Sequence, residues 1–178
     1  MRERHNREDL KNYINRPNTH EMTAMHAACL AGKREIVRLL LENGADLRKL
    51  DRSSFVPLHY AVVNDNIDVV VLLHDHPSHG VNVLSDAFNW GDYRIMSLAI
   101  LNGAYECIKK FVYWGADCNR KEPQEYTYLH MAAISGHVNI FLYFLSKQVN
   151  LHALTAQGKD AFWLADHHKN THLTDYIR

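Results

Sequence analysis

The sequence predicts an all-α solenoid of stacked helix–turn–helix units joined by extended finger loops. Similar segments recur along the chain, and three of the four spacings between them are 33 residues; the segments start at Thr23, Val56, Arg94, Thr127 and Asp160. Each segment carries two stretches with apolar residues at helical spacing, separated by a turn. Such a unit cannot cover its apolar faces alone, so neighbouring units must stack and share a continuous core.

Particular residue types recur at fixed places within the repeat. Thr23 and Thr127 precede a first helix, at the N-cap position where Thr is favoured. Glycine recurs in the turn and after the second helix, where it suits a left-handed backbone: Gly32, Gly103 and Gly136, then Gly44 and Gly115. One histidine position recurs at His26, His59 and His130. One apolar position of the second helix should be buried in every unit: Leu40, Leu73, Phe111 and Phe144.

The elements follow in order along the chain. Residues 1–22 are predicted to form an N-terminal capping helix and linker, with Asn6 at its N-cap and Leu10, Tyr13 and Ile14 at helical spacing. The repeats are then expected at 23–55, 56–93, 94–126 and 127–159, with a partial fifth unit at 160–178. The second helix of that fifth unit stops about halfway. Either a short cap closes the array, or the sequence belongs to a longer protein.

These segments resemble the ankyrin repeat, whose pattern is D-x-x-G-x-T-P-L-H-x-A-A-x-x-G-H followed by I-V-x-x-L-L-x-x-G-A-D. Residues 23–46 and 127–145 match closely, 51–73 match well, and 94–119 and 155–178 match loosely. The resemblance implies that the repeat histidine bonds its own Thr and the neighbouring unit's backbone, which is a structural role. It also implies that partners bind at the finger tips and at the inner face of the first helices.

The segment HDHPSHG, at residues 74–80, allows a metal site or a lengthened turn. Gly80 follows Gly44 by 36 residues, so three residues are inserted at the end of the second helix. A structural zinc site needs four ligands, usually with Cys among them. We therefore expect a solvated turn that holds no metal. His168 and His172 share a helix face but lack the Glu of an HExxH motif.

Composition and cysteine spacing exclude several function classes. Lys+Arg and Asp+Glu are 20 each, so net charge favours neither nucleic acid nor an anionic membrane. No apolar run reaches the roughly 20 residues of a membrane span, so no membrane insertion is expected. Cys29, Cys107 and Cys118 map to small or apolar repeat positions and should be buried, inert thiols. We expect an intracellular protein, cytoplasmic or nuclear, or one delivered into a host cytosol if it is a bacterial effector.

No catalytic constellation remains once the repeat positions are removed. The chain shows no Ser/His/Asp set, Gly-rich phosphate loop or carboxylate pair outside those positions. We therefore expect a protein that is not an enzyme and that needs no cofactor.

The positions that the repeat leaves open predict a partner-binding surface. Aromatic residues precede the Thr position, and a further one lies in the enlarged third finger: Phe55, Tyr93 and Tyr126, then Trp90. An apolar column is predicted along the concave face, beside Asn64 and Asn102; it comprises Leu30, Val63, Leu101 and Ile134. Uncharged, aromatic-rich patches are typical of interface cores. The alternative is that neighbouring units half-bury these side chains.

Two function classes therefore remain. The first is a monomeric adaptor, scaffold or inhibitor that binds another protein through the concave face and finger tips. The second is a structural subunit or fragment of a larger assembly, docked through its convex side and its open C-terminal edge. On that convex side Val71 and Leu142 stand where other units carry Arg38 and Lys109, and Tyr113 and Trp114 lie nearby.

Overall fold

The computed structural model describes residues 2–76, 82–85, 89, 91, 94–170 and 172–173, with residues 2–7 described by their backbone alone. These residues form α-helices and one short 3-10 turn, and no β-strand occurs among them. In chain order the helices are α1 (Arg2–Ile14), α2 (Ala24–Leu30), α3 (Arg34–Glu42), α4 (Pro57–Val63), α5 (Ile67–Asp75), α6 (Ile95–Leu101), α7 (Tyr105–Tyr113), α8 (Tyr128–Ser135), α9 (Val138–Leu145) and α10 (Ala161–His167). The predicted all-α fold is confirmed.

The chain divides into two compact units, Met1–Phe88 and Asn89–Arg178. In the first unit α2 pairs with α3 and α4 pairs with α5, and the two pairs meet through α2 on α4 and α3 on α5. In the second unit α6 pairs with α7 and α8 pairs with α9, and α8 contacts both α6 and α10. Within each unit, therefore, the core is the shared layer between successive helix pairs, as a repeat structure requires.

Helix α1 covers the start of the first unit incompletely. It begins at Arg2, so Asn6 lies inside the helix, and the predicted N-cap is wrong. Its end is fixed by Asn15, whose Nδ2 donates to the Gly44 carbonyl at 3.0 Å and whose Oδ1 accepts from the Asp46 N–H at 2.7 Å. Yet Tyr13 remains 70% exposed. The helix is thus tied down at its C-terminal end while much of its apolar surface faces water.

The predicted core position of the second helices is buried in three units out of four. Leu73, Phe111 and Phe144 have no exposed surface. Leu40 is only half-buried, contrary to the prediction. It borders an open groove lined also by Tyr13, Ile14, Arg16, Pro17 and Ala24. The reason is position: among the described residues α1 is the element that precedes the first pair, and it covers that pair less fully than a helix pair would. The neighbouring Leu41 is the fully buried leucine of α3.

The turn between paired helices requires a left-handed backbone and close contact with the next pair. Gly32 and Gly136 have φ values of 63° and 73°. A Cβ atom at Gly32 would lie 2.7 Å from Oδ1 of Asn66, and one at Gly136 would lie 2.6 Å from Oδ1 of Asn170. Real side chains almost never approach so closely. Glycine is therefore needed at these turns both for conformation and for space.

Three fingers lie wholly within the described residues, those after α3, α7 and α9, and they are short closed turns. Each is closed by a backbone hydrogen bond from the first residue to the carbonyl four positions later. The N–H to oxygen pairs are Asp51 to Phe55 at 3.0 Å, Glu122 to Tyr126 at 2.7 Å, and Thr155 to Lys159 at 2.9 Å. The one β-bridge among the described residues joins Lys121 and Thr127.

Candidate functional site

The repeat histidines act as links between successive helix pairs. In His26, Nδ1 accepts from the Thr23 N–H at 3.0 Å and contacts the Thr23 hydroxyl at 2.9 Å. Its Nε2 lies 3.0 Å from the Phe55 carbonyl in the next finger. Because a backbone N–H can only donate, Nδ1 must be the unprotonated nitrogen, and Nε2 donates to the carbonyl. This is the structural role that the sequence implied.

His130 repeats the same arrangement in the second unit. Its Nδ1 accepts from the Thr127 N–H at 3.0 Å, and its Nε2 lies 3.0 Å from the Ala153 carbonyl. Burial lowers the pKa of His130, while the Ala153 carbonyl and the charge of Asp160 act in the opposite direction. Both ring nitrogens are engaged and the side chain is buried. These histidines are therefore unsuited to proton transfer with a substrate.

A different link replaces the histidine in the helix pair that begins at Ile95. Ser97 occupies the histidine position, and its buried hydroxyl finds no hydrogen-bond partner within the described part of the chain. The Arg94 N–H instead donates to Oε2 of Glu122 at 3.3 Å. Nε of Arg94 lies 3.9 Å from Oε1 of that carboxylate, whose side chain is 1% exposed. Burial, and then the Glu122 charge, raise the pKa of Tyr128. The repeat pattern of the sequence did not indicate that Glu122 would take this place.

The predicted apolar column lies at the ends of the first helices. Leu30 and Leu101 are 42% and 41% exposed, whereas Val63 and Ile134 are half-buried. Leu30 and Val63 belong to packed helices of the first unit, and Leu101 and Ile134 belong to packed helices of the second. Each unit thus has one exposed leucine and one half-buried β-branched residue in the column.

The two asparagines beside the column are both exposed, but they make different contacts. Nδ2 of Asn64 donates to the Leu30 carbonyl of the preceding pair at 3.1 Å. Nδ2 of Asn102 donates within its own helix, to the Leu98 carbonyl at 2.8 Å. The side-chain oxygen of neither asparagine accepts a hydrogen bond from another described residue. Each oxygen is therefore an acceptor open to solvent at the rim of the column.

The aromatic finger residues are half-buried where they are described. The Phe55 ring packs edge-on against His59 at 5.0 Å and against Tyr60 at 5.4 Å between ring centroids. The Tyr126 ring stands edge-on to His130 at 6.0 Å. Trp90 and Tyr93 lie outside the described residues. Phe55 and Tyr126 therefore each cover a repeat histidine while part of the residue stays exposed.

Several exposed apolar residues were not predicted from the sequence, and three of them lie in the fingers and in α10. Leu50 and Leu154 occupy one repeat position in the fingers and are 55% and 54% exposed. Trp163 stands at the histidine position of α10 and is 43% exposed. Its ring stacks on His167 at 4.6 Å, and Nζ of Lys159 lies 4.0 Å from the ring centroid. The signal for the leucines was in the sequence: an apolar residue at a finger position that carries Lys121 in another unit.

The three cysteines differ in burial. Cys29 and Cys107 are fully buried, and burial raises the pKa of the Cys29 thiol to about 12. Cys118 is only half-buried, so the prediction of a buried thiol is wrong there. Burial still raises its pKa, with the Lys147 charge acting in the opposite direction. A raised pKa keeps a thiol protonated and poorly nucleophilic.

The histidine-rich segment is described only in part. Nδ1 of His74 lies 2.7 Å from Oδ1 of Asp75, and residues 77–80 lie outside the described residues. Across the described ranges no group of three or more His, Cys, Asp or Glu side chains is arranged to hold a metal ion. The expected absence of metal at 74–80 stays a prediction. None of the described helices is long and apolar enough to cross a membrane.

Comparison with known proteins agrees with the repeat architecture. A family model of ankyrin repeats in three copies matches residues 3–86 and 96–176. The chain belongs to the ankyrin repeat family. The linking histidines, the turn glycines and the paired helices thus follow the repeat pattern of an ankyrin repeat chain, whereas the exposed leucines described above stand at positions that this pattern leaves open.

Curated relatives are similar over part of the chain. NF-kappa-B inhibitor alpha of Sus scrofa is 29% identical over 112 residues, which is 62% of this chain and 36% of that protein. The B-cell lymphoma 3 protein homolog of Mus musculus is 36% identical over 112 residues, covering 24% of that protein. A putative ankyrin repeat protein of Fowlpox virus is 27% identical over 128 residues, covering 82% of it. The chain therefore spans about a third or less of the two mammalian relatives.

Proposed function

We propose that this chain is a non-catalytic protein-interaction module, acting as an adaptor, scaffold or inhibitor, that binds one partner protein through its concave face and finger tips. One observation carries the proposal. Leu30 and Leu101 end helices that are otherwise largely buried, share one repeat position, and are 42% and 41% exposed. The fold does not require an exposed leucine at this repeat position, because the other two units carry Val63 and Ile134 there and these residues are half-buried. Family membership and the names of the relatives support an interaction role.

The anchors of the proposed surface are the finger aromatics and the apolar column. Rings that are partly buried and already held by neighbours lose little conformational freedom on binding, and truncation of such anchors commonly weakens binding by about 2 kcal/mol or more. Phe55 and Tyr126 fit this description, and Trp90 and Tyr93 complete the predicted row. Asn64 and Asn102 would supply polar contacts at the rim. Because the net charge is zero, affinity for this surface should vary little with salt.

Site-specific photo-crosslinking tests the proposal. A benzophenone amino acid replaces Leu30 or Leu101 in the full chain, and in a control it replaces Leu39, which is 54% exposed on α3. We expect one protein to be crosslinked at both first-helix positions and not at position 39. Tyr126→Ala and Leu101→Glu should then weaken its binding, while Leu142→Glu on α9 should leave it intact.

The second candidate is a structural subunit docked through its convex side and its C-terminal edge. Trp163 favours docking at the C-terminal edge. Its exposed indole stands at the repeat-histidine position, where His26 and His130 bond the finger that follows. If position 39 or a probe at Trp163 crosslinks a protein and positions 30 and 101 do not, the docked-subunit function replaces the first proposal.

A further inference from the structure

Lysine and aromatic side chains alternate on the outward side of α7 and at the adjoining end of α9. We name this surface the lysine–tyrosine face; it comprises Tyr105, Lys109, Lys110, Tyr113, Trp114, Tyr143 and Lys147. Nζ of Lys110 lies 4.8 Å from the centroid of the Tyr113 ring and 5.3 Å from that of Trp114. Nζ of Lys147 lies 4.8 Å from the Tyr143 ring centroid. All these residues belong to the second unit.

The face is continuous from one helix to the other. The Tyr105 and Tyr143 rings meet edge-on at 5.8 Å, which joins α7 to α9. Along α7, Tyr105, Lys109 and Tyr113 follow at intervals of four residues, which places them on one side of the helix. Nζ of Lys109 lies 5.0 Å from the Tyr105 ring centroid. Three ammonium groups are therefore held against aromatic rings along a single surface.

The repeat does not call for these residues. Tyr113 stands at the position occupied by Glu42, Asp75 and Ser146 in the other units. It is 79% exposed, so its ring contributes little to the core. An aromatic side chain left in water at a position that other units fill with acidic or polar residues indicates a purpose other than folding.

The charges of the face are unbalanced. Lys109 pairs with Glu106 at 2.8 Å. Neither Lys110 nor Lys147 has a carboxylate within ion-pair distance among the residues that the structure describes. A lysine lying over a ring keeps N–H donors pointing to solvent, because the ring engages only one side of the ammonium group. Two unneutralised donors thus flank exposed aromatic surface.

We propose that the lysine–tyrosine face binds an acidic segment of a partner protein. Carboxylates of that segment would accept from Lys110 and Lys147, and an apolar side chain would lie on the Tyr113 ring. The complementarity is of charge and of apolar area together. A nucleic acid fits less well, because Lys109 is already paired with Glu106 and three lysines are fewer than the roughly 6–10 phosphate contacts typical of strong binding. The face is separate from the column and fingers of the proposed function.

Peptide binding to the full chain tests this proposal. Fluorescence anisotropy is measured with labelled peptides of repeated Glu-Glu-Leu, Ser-Ser-Leu and Lys-Lys-Leu, and with single-stranded oligothymidylate. We expect only the Glu-Glu-Leu peptide to bind well, and its affinity to fall steeply as salt is raised. Lys110→Glu with Lys147→Glu should weaken it by about tenfold or more, and Tyr113→Ala should weaken it at unchanged net charge.

Matched controls separate the face from general electrostatics. Arg48→Glu with Lys49→Glu makes the same change in net charge at exposed positions of the first unit, and should alter affinity less than about twofold. If Lys110→Glu with Lys147→Glu unfolds the protein, Lys110→Gln with Lys147→Gln is measured in its place. The proposal is overturned if the Glu-Glu-Leu peptide does not bind, if the control pair weakens it equally, or if the Lys-Lys-Leu peptide binds as well. Tighter binding of oligothymidylate would make the face a nucleic-acid surface instead.

Discussion

His26 and His130 show how a titratable side chain becomes a fixed structural part. Each ring accepts at Nδ1 from a backbone N–H and donates at Nε2 to a carbonyl of the following finger. In His130, a second proton on Nδ1 would break the first bond and place a charge in a buried site. Burial accordingly lowers the pKa of His130, and acid acts against its link.

Stability should fall as the pH drops below about 6.5, the ordinary histidine value. The folded pKa of His130 is lowered by burial, so the unfolded chain takes up the proton first and is favoured as the pH falls through this range. Above it both states hold a neutral ring and this contribution is constant. The loss of stability should appear as a lower urea midpoint when the pH is taken from about 7.5 to about 5. This range extends about one unit or more to either side of the ordinary histidine pKa. His130→Gln should flatten the dependence; an unchanged slope would contradict the assignment.

Neighbouring asparagines provide a matched test of the links between pairs. Nδ2 of Asn66 donates to the Cys29 carbonyl at 2.8 Å and to the Leu30 carbonyl at 3.1 Å, and the side chain is half-buried. Asn66→Ala should lower the free energy of unfolding by about 1–2 kcal/mol, because it leaves a carbonyl poorly satisfied. Asn64→Ala, at an exposed residue that also reaches Leu30, should cost less. Equal losses in urea denaturation would show that burial of the donor is unimportant.

Helices α1 and α3 show what repeat periodicity can and cannot predict. Their presence and spacing were evident because apolar residues recur at helical intervals and the units align. Partial exposure of Leu40 was not predictable, because it depends on how completely α1 covers the first pair.

The aromatic row of the candidate site was predictable only as residue types that recur at one repeat position. Its ring contacts with His59, Tyr60 and His130 were not, because they depend on side-chain packing. The Glu122 link required two residues far apart in sequence to meet.

Adjacent leucines of α3 should respond differently to truncation. Leu41 is 1% exposed, so Leu41→Ala should cost about 2–5 kcal/mol. Leu40→Ala should cost about 1–2 kcal/mol, since only part of its side chain leaves water on folding. Chemical denaturation of both variants measures the difference. A larger loss from Leu40 than from Leu41 would mean that α1 closes over the first pair in solution.

At the scale of the whole molecule, stability should be uneven along the chain. In a repeat protein each pair is stabilised by its neighbours, so an element packed on one side opens more easily than one packed on two. Within the second unit α8 packs against α6, α9 and α10, whereas α10 packs mainly against α8. Amide hydrogen exchange should be faster in α10 than in α8. Equal protection in both helices would contradict this.

The histidine links also have a consequence for how the sequence can change. Their acceptors are the carbonyls of Phe55 and Ala153, and a carbonyl is present whatever amino acid occupies the position. The scaffold therefore holds each finger by its main chain and leaves the finger's side chains to vary. Substitutions there leave the histidine bond itself in place, so the partner of the proposed surface could change over generations or in a laboratory library while this link between helix pairs is kept.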